Sequence, residues 1–198
     1  MTTSRTTTST SEHAPTRTAL VVVDMQNVFI DPSAPSAMTG ADAVLDAVNT
    51  LVADAVDHDR PIFYTRDVDP TDLPPGDPDN QTGLHPDLDT RGTVIDKGPG
   101  KHGVYSGFVL NANDPDSGGP GRGGLNDLAE HLRATRVTHL TVVGLAADVC
   151  VAATARDARR LGYDVTIPLS ATAFVHAHPD GDDAALADLT AAGITITD

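Results

Sequence analysis

The chain contains one cysteine, and its neighbourhood suits a nucleophile. Leu140, Val142 and Val143 form an apolar run ended by Gly144, and Val151, Ala152, Ala155, Ala158 and Leu161 then recur at helical spacing. Cys150 therefore falls where a strand gives way to the first turn of a helix. Backbone N–H groups and the positive end of the helix dipole gather at such a turn. The pattern predicts a thiol pKa lowered from about 8.5, with N–H groups able to hold an oxyanion. The plain alternative is a small buried apolar side chain. A thiol nucleophile also needs a group that takes its proton and later returns it, and a carboxylate beside an ammonium can do both. Asp24 follows the apolar run Ala19 to Val23, and Lys97 follows Thr93 to Ile95. Asp24 is expected to be the base, and Lys97 the cation that holds it and lowers the thiol pKa. Taken singly, each also reads as an ordinary capping or surface charge.

Placing these groups requires a sheet. Ala19 to Val23 reads as a strand buried on both faces, Pro61 to Thr65 as a second and Thr93 to Ile95 as a third, with further strands at 138 to 143, 164 to 168 and 194 to 196. Between them, Val44, Leu45, Val48, Leu51, Val52, Ala55 and Val56 mark an amphipathic helix from Ala41 to about His58. Helices are also expected around Leu125 to Leu132, after Cys150, and from Asp180 to Ala191. Segment 66 to 91 reads as a long loop, a length that suggests a functional use, and 111 to 124 as another loop. Strands alternating with helices, without hairpin signals, predict an α/β fold with a parallel sheet covered on both faces. Reactive groups in such sheets sit beyond the carboxyl ends of the strands. Asp24, Asp67, Lys97 and Cys150 all fall there.

Composition narrows the remaining classes. The 198 residues, 39% of them apolar and 4% aromatic with no Trp, suit one globular domain packed mainly by Ala and Val. A net charge of −15 argues against a nucleic-acid partner, because phosphates would be repelled. One cysteine excludes an intramolecular disulfide. No apolar run approaches the ~18 residues of a membrane span. Residues 1–17 are Thr/Ser-rich without the apolar core of a secretory signal, so they are expected to be a disordered leader ahead of a domain at 18–198, in a cytoplasmic protein.

The motifs VVVDMQNVF at 21 to 29, YTRDVDP at 64 to 70, VIDKG at 94 to 98, YSGF at 105 to 108 and GLAADVCVAAT at 144 to 154 resemble, in this order, the isochorismatase-like cysteine hydrolases, and among them most the nicotinamidases. The resemblance runs from Thr18 to the C-terminus. It implies a three-layer α/β/α, Rossmann-like fold and a catalytic set of Asp24, Lys97 and Cys150. It also implies a cis peptide at Leu145-Ala146, an oxyanion hole from the N–H groups of Ala146 and Cys150, and ring contacts from Phe29, Tyr105 and Phe108. The implied reaction is hydrolysis of a linear amide C–N bond through a thioester, with nicotinamide as the leading substrate and nicotinate and ammonia as products. Maleamate or N-carbamoyl hydrolysis, isochorismate vinyl-ether hydrolysis and a non-catalytic binding role are the alternatives. A cysteine at 150 points away from the vinyl ether. Assembly into a homo-oligomer is common in the family.

The chain departs from the nicotinamidase pattern at the metal. The family uses an Asp-x-His pair and a second His from a Trp-Pro-x-His stretch. Here Asp67 matches, Asp69 replaces the first His, and Pro74-Pro75-Gly76-Asp77 holds neither Trp nor His. Carboxylates in place of imidazoles favour Mg, Mn or Ca over Zn, or an empty site. The covalent chemistry itself requires no cofactor. Nearby His85 is expected to face solvent.

Overall fold

The structure is a computed structural model that describes residues 16–70, 73–74, 76–98, 105–108 and 127–198. Its centre is β1 (Thr18–Val23). Side chains alternate across a strand, so Ala19, Val21 and Val23 face one core layer while Leu20 and Val22 face the other. All five are buried, which accounts for a continuous apolar run in place of an alternating one.

Around it lie β2 (Ile62–Asp67), β3 (Thr93–Lys97), β4 (His139–Leu145), β5 (Asp164–Pro168), β6 (Thr172–Ala173) and β7 (Thr195–Thr197). The order is β3-β2-β1-β4-β5-β7, with β6 beside β4, and every pairing is parallel. β2 and β3 each run two residues further than expected, in register through Asp67 and Lys97. Those two charged residues thus close the ladder from within it.

One face is covered by a short α1 (Asn27–Ile30), which the sequence pattern did not suggest, and by α2 (Ala41–Asp57). The α2 residues at the predicted spacing, Val44, Leu45, Val48 and Val52, pack on Leu20, Val22 and Tyr64. Each such aliphatic side chain contributes about 1.5–3 kcal/mol on burial. The other face carries α3 (Asp127–Ala134), α4 (Ala152–Arg160) and α5 (Asp182–Ala191), whose Leu128, Leu132, Ala155, Ala158 and Leu189 meet the odd residues of β1. The expected three-layer arrangement is therefore present. No helix among the described residues is long and apolar enough to cross a membrane.

Arg17, expected in the leader, accepts hydrogen bonds at its carbonyl from the N–H groups of Thr138 and His139, so it belongs with the start of β1. Residues 1–15 of that leader and the loop at 111 to 124 lie outside the described residues.

Candidate active site

The strand order assembles the site. β2 lies between β3 and β1, and β4 lies on the other side of β1, so the carboxyl ends of four adjacent strands share one rim. Asp24 is the first residue past β1 and has φ 51°, a left-handed conformation that Asp tolerates better than most residues. Its N–H reaches the Thr65 carbonyl at 3.2 Å and the Thr65 hydroxyl at 3.3 Å. The turn leaves its carboxylate fully buried. Oδ1 accepts a hydrogen bond from Thr65 Oγ1 at 2.7 Å, and Oδ2 lies 2.7 Å from Lys97 Nζ.

Lys97 is also fully buried, and Nζ donates to the Tyr105 carbonyl at 2.6 Å. Burial alone would lower the pKa of this ammonium. The negative charge of Asp24 first, then Cys150 and Asp67, reverses that effect and carries the Lys97 pKa above its ordinary value. The pair is a buried salt bridge, in which loss of either partner would strand a charge without water.

Cys150 occupies a π-helical turn, Ala147–Val151, that runs directly into α4. The Ala146 carbonyl accepts from the N–H groups of Val149 and Val151, and the Leu145-Ala146 peptide before it is cis. The thiol is buried, and both the Asp24 carboxylate and the Lys97 ammonium act on it electrostatically. Asp24 and Lys97 are in direct contact, and Cys150 feels the charge of both. Gly144 allows the approach: it has φ +104°, and a Cβ there would lie 2.2 Å from the Val23 carbonyl oxygen.

The thiol pKa moves opposite to expectation. Burial first, then the charge of Asp24, push it up to about 12, with Lys97 only partly opposing. Desolvation of a nearly sealed sulfur beside a carboxylate outweighs the helix terminus. The resting nucleophile is a thiol beside a base, and its proton has Asp24 as a near acceptor.

Of the expected ring contacts, Tyr105 is half exposed and Phe29 is half-buried against the α2 layer. Phe108, expected to touch a substrate ring, instead has no exposed surface and packs in the same core layer as Cys150, Phe63 and Val151.

The tentative metal ligands are not brought together. Asp67 is buried, and its Oδ1 accepts from the Asp69 N–H at 3.0 Å, while the Asp69 residue is exposed. Asp77 spends both oxygens on its own turn, accepting from the N–H groups of Gln81 and Thr82 and from the Thr82 hydroxyl. His85 is half-buried, and its Nδ1 accepts from the Asp87 N–H. Among the described residues no three His, Cys, Asp or Glu side chains gather as a metal site. Two carboxylates without an imidazole are a poor match for zinc.

Several residues around the site went unassigned in the sequence reading. Fully buried Gln26 clamps the end of β2, donating to the Asp67 and Thr82 carbonyls and accepting from the Asp67 N–H. Thr154 Oγ1 accepts from the Gly107 N–H at 2.9 Å. Asp148, two residues before the cysteine, accepts from the N–H groups of Val175 and Ala177, tying that segment to the nucleophile turn. Their positions inside the motifs were visible, but their partners lie 27 to 56 residues away in sequence.

Residues 18–198 match the isochorismatase domain family. The chain is 33% identical over 195 residues to the nicotinamidase/pyrazinamidase of Mycobacterium tuberculosis, covering 90% of this chain and 97% of that protein. Among solved structures it is similar to the pyrazinamidase of Pyrococcus horikoshii in complex with zinc, with a TM-score of 0.73, 26% identity, and 91% and 98% of the two chains covered. It is also similar to PnC1 of L. infantum in complex with nicotinate, with a TM-score of 0.72, 28% identity, and 91% and 92% covered.

Proposed function

We propose that this protein, which belongs to the isochorismatase family, hydrolyses the C–N bond of a small amide through a thioester on Cys150, with nicotinamide as substrate and nicotinate and ammonia as products. The observation that carries the reading is the buried Asp24–Lys97 ion pair, both members of which act electrostatically on the Cys150 thiol. The M. tuberculosis relative and the nicotinate-bound L. infantum structure support the choice of a pyridine amide.

In this mechanism Asp24 takes the proton from Cys150 as Sγ attacks the carbonyl carbon. The carbonyl electron pair moves onto oxygen, where the N–H groups of Ala146 and Cys150 hold it. Collapse of that intermediate breaks the C–N bond, and Asp24 passes its proton to the departing nitrogen, releasing ammonia. Water then attacks the thioester carbonyl. Asp24 takes a proton from the water, and Sγ leaves and is reprotonated. Lys97 holds the Asp24 carboxylate in place through its ion pair between these transfers. Tyr105 and Phe29 supply the aromatic surface for a planar ring.

Each step runs on the chain's own residues. The carboxylates Asp67 and Asp69 lean toward hard cations, Mg, Mn or Ca before Zn, wherever a divalent ion is bound. The same reading places the enzyme in the cytoplasm, able to form a homo-oligomer, acting on a small molecule and not on nucleic acid.

The test is ammonia release from nicotinamide, pyrazinamide, maleamate and N-carbamoyl amino acids. Nicotinamide or pyrazinamide is expected to be the best substrate, and Cys150→Ala to abolish release. Release that persists in that variant would overturn the covalent mechanism.

A further inference from the structure

We propose that Thr65 is a positioning residue for this reaction: it fixes the Asp24 carboxylate so that Oδ1 is held and Oδ2 alone exchanges the proton with Cys150, an inference that rests on the amide-hydrolase reading. Thr65 is fully buried on β2, between Asp24 and Lys97. Its single hydroxyl makes two bonds to the same residue, accepting from the Asp24 N–H at 3.3 Å and donating to Oδ1 at 2.7 Å. Main chain and side chain of Asp24 are thereby held by one oxygen, at a residue whose positive φ leaves it few alternatives.

The two carboxylate oxygens are consequently unlike. Oδ1 has a charge-assisted hydrogen bond. Oδ2 is buried and 2.7 Å from Lys97 Nζ, yet makes no hydrogen bond of good geometry among the described residues. A carboxylate oxygen has more than one lone pair, so the ion pair with Lys97 leaves Oδ2 a lone pair for the thiol proton. Attack breaks S–H, forms S–C and moves that proton to Oδ2. C–N cleavage then returns it from Oδ2 to nitrogen. The proton of Thr65 stays on Thr65 throughout.

Gly107 fixes the rotamer that makes this work. A Cβ on Gly107 would lie 2.7 Å from Thr65 Cγ2, so the methyl fills the space that glycine leaves. With the methyl seated there, the hydroxyl is directed at Asp24. Gly107 is itself anchored through its N–H to Thr154.

The experiment compares steady-state ammonia release by the wild type, Thr65→Val and Thr65→Ser on the best amide of the panel above. Valine keeps the shape and removes the donor, so kcat is expected to fall ~10- to 100-fold with KM unchanged. Serine keeps the donor and is expected to restore most of kcat. A residue that merely packed would give the reverse order, with valine matching the wild type. Should Thr65→Val fail to fold by its melting curve, Thr65→Ala reads the same loss of the donor. Gly107→Ala, which displaces the methyl, is expected to lower kcat in the same way. An active wild type with an unimpaired Thr65→Val, or a variant in which KM rises while kcat holds, overturns the role of Thr65 alone. A wild type inert toward every amide overturns the amide reading and this inference with it.

Discussion

Replacing Asp24 by asparagine separates two effects that the wild type combines. In the folded protein burial, then the charge and hydrogen bond of Asp24, raise the Cys150 pKa from 9.0 to about 12, while Lys97 opposes them. At neutral pH that difference leaves roughly a thousandfold less free thiolate than an ordinary cysteine would have. The wild type offsets this by handing the proton to Asp24 within the site. Asp24→Asn deletes both contributions of the carboxylate and leaves Lys97 in place, so the thiol should titrate clearly below 12. The amide nitrogen of asparagine cannot accept the proton, so ammonia release should fall by about 10²- to 10⁴-fold. The variant also strands the buried ammonium at a cost of about 3–5 kcal/mol, so circular dichroism is needed to show that the fold persists. The assay follows iodoacetamide alkylation of Cys150 by mass spectrometry between about pH 6 and 11, alongside ammonia release. The expected result is a thiol that titrates lower in an enzyme that no longer turns over. An alkylation profile indistinguishable from that of the wild type, or near-normal hydrolysis, would refute the assignment of Asp24 as both a contributor to the raised pKa and the proton acceptor.

Other consequences can be checked separately. Because the folded pKa of Cys150 lies above its unfolded value, its contribution to stability is complete below pH 9.0 and is lost as pH rises toward about 12. Denaturation of the wild type should show that decline, at most about 1.4 kcal/mol per pH unit from this group, and Cys150→Ser should flatten it. Gly144→Ala would bring a Cβ to 2.2 Å from the Val23 carbonyl and is expected to cost about 3 kcal/mol or more, read as a lowered melting temperature or loss of soluble protein. Elemental analysis of the purified protein is expected to find zinc well below one ion per chain. Stoichiometric zinc would show that the carboxylate donors at 67, 69 and 77 were misjudged.

The sequence by itself determined what each segment needs. The unbroken apolar run of β1 required cover on both faces, and the spacing of Val44, Leu45, Val48 and Val52 required one helical face to be buried, as found. Ordered motifs at the ends of predicted strands were enough to nominate Asp24, Lys97 and Cys150. These are local properties, since burial pattern and backbone period are written residue by residue. Tertiary structure decided what each residue meets. The order β3-β2-β1-β4 sets Thr65 between Asp24 and Lys97, a placement that no spacing in YTRDVDP foretells. The same packing turns Phe108 into the core and leaves Asp69 outside. It also inverts the expected thiol shift, because desolvation and a carboxylate reached across 126 residues of chain (150 − 24) together exceed a helix terminus next door. Hydration and charge act through space, and distances in space between remote segments are fixed only when the strands have paired.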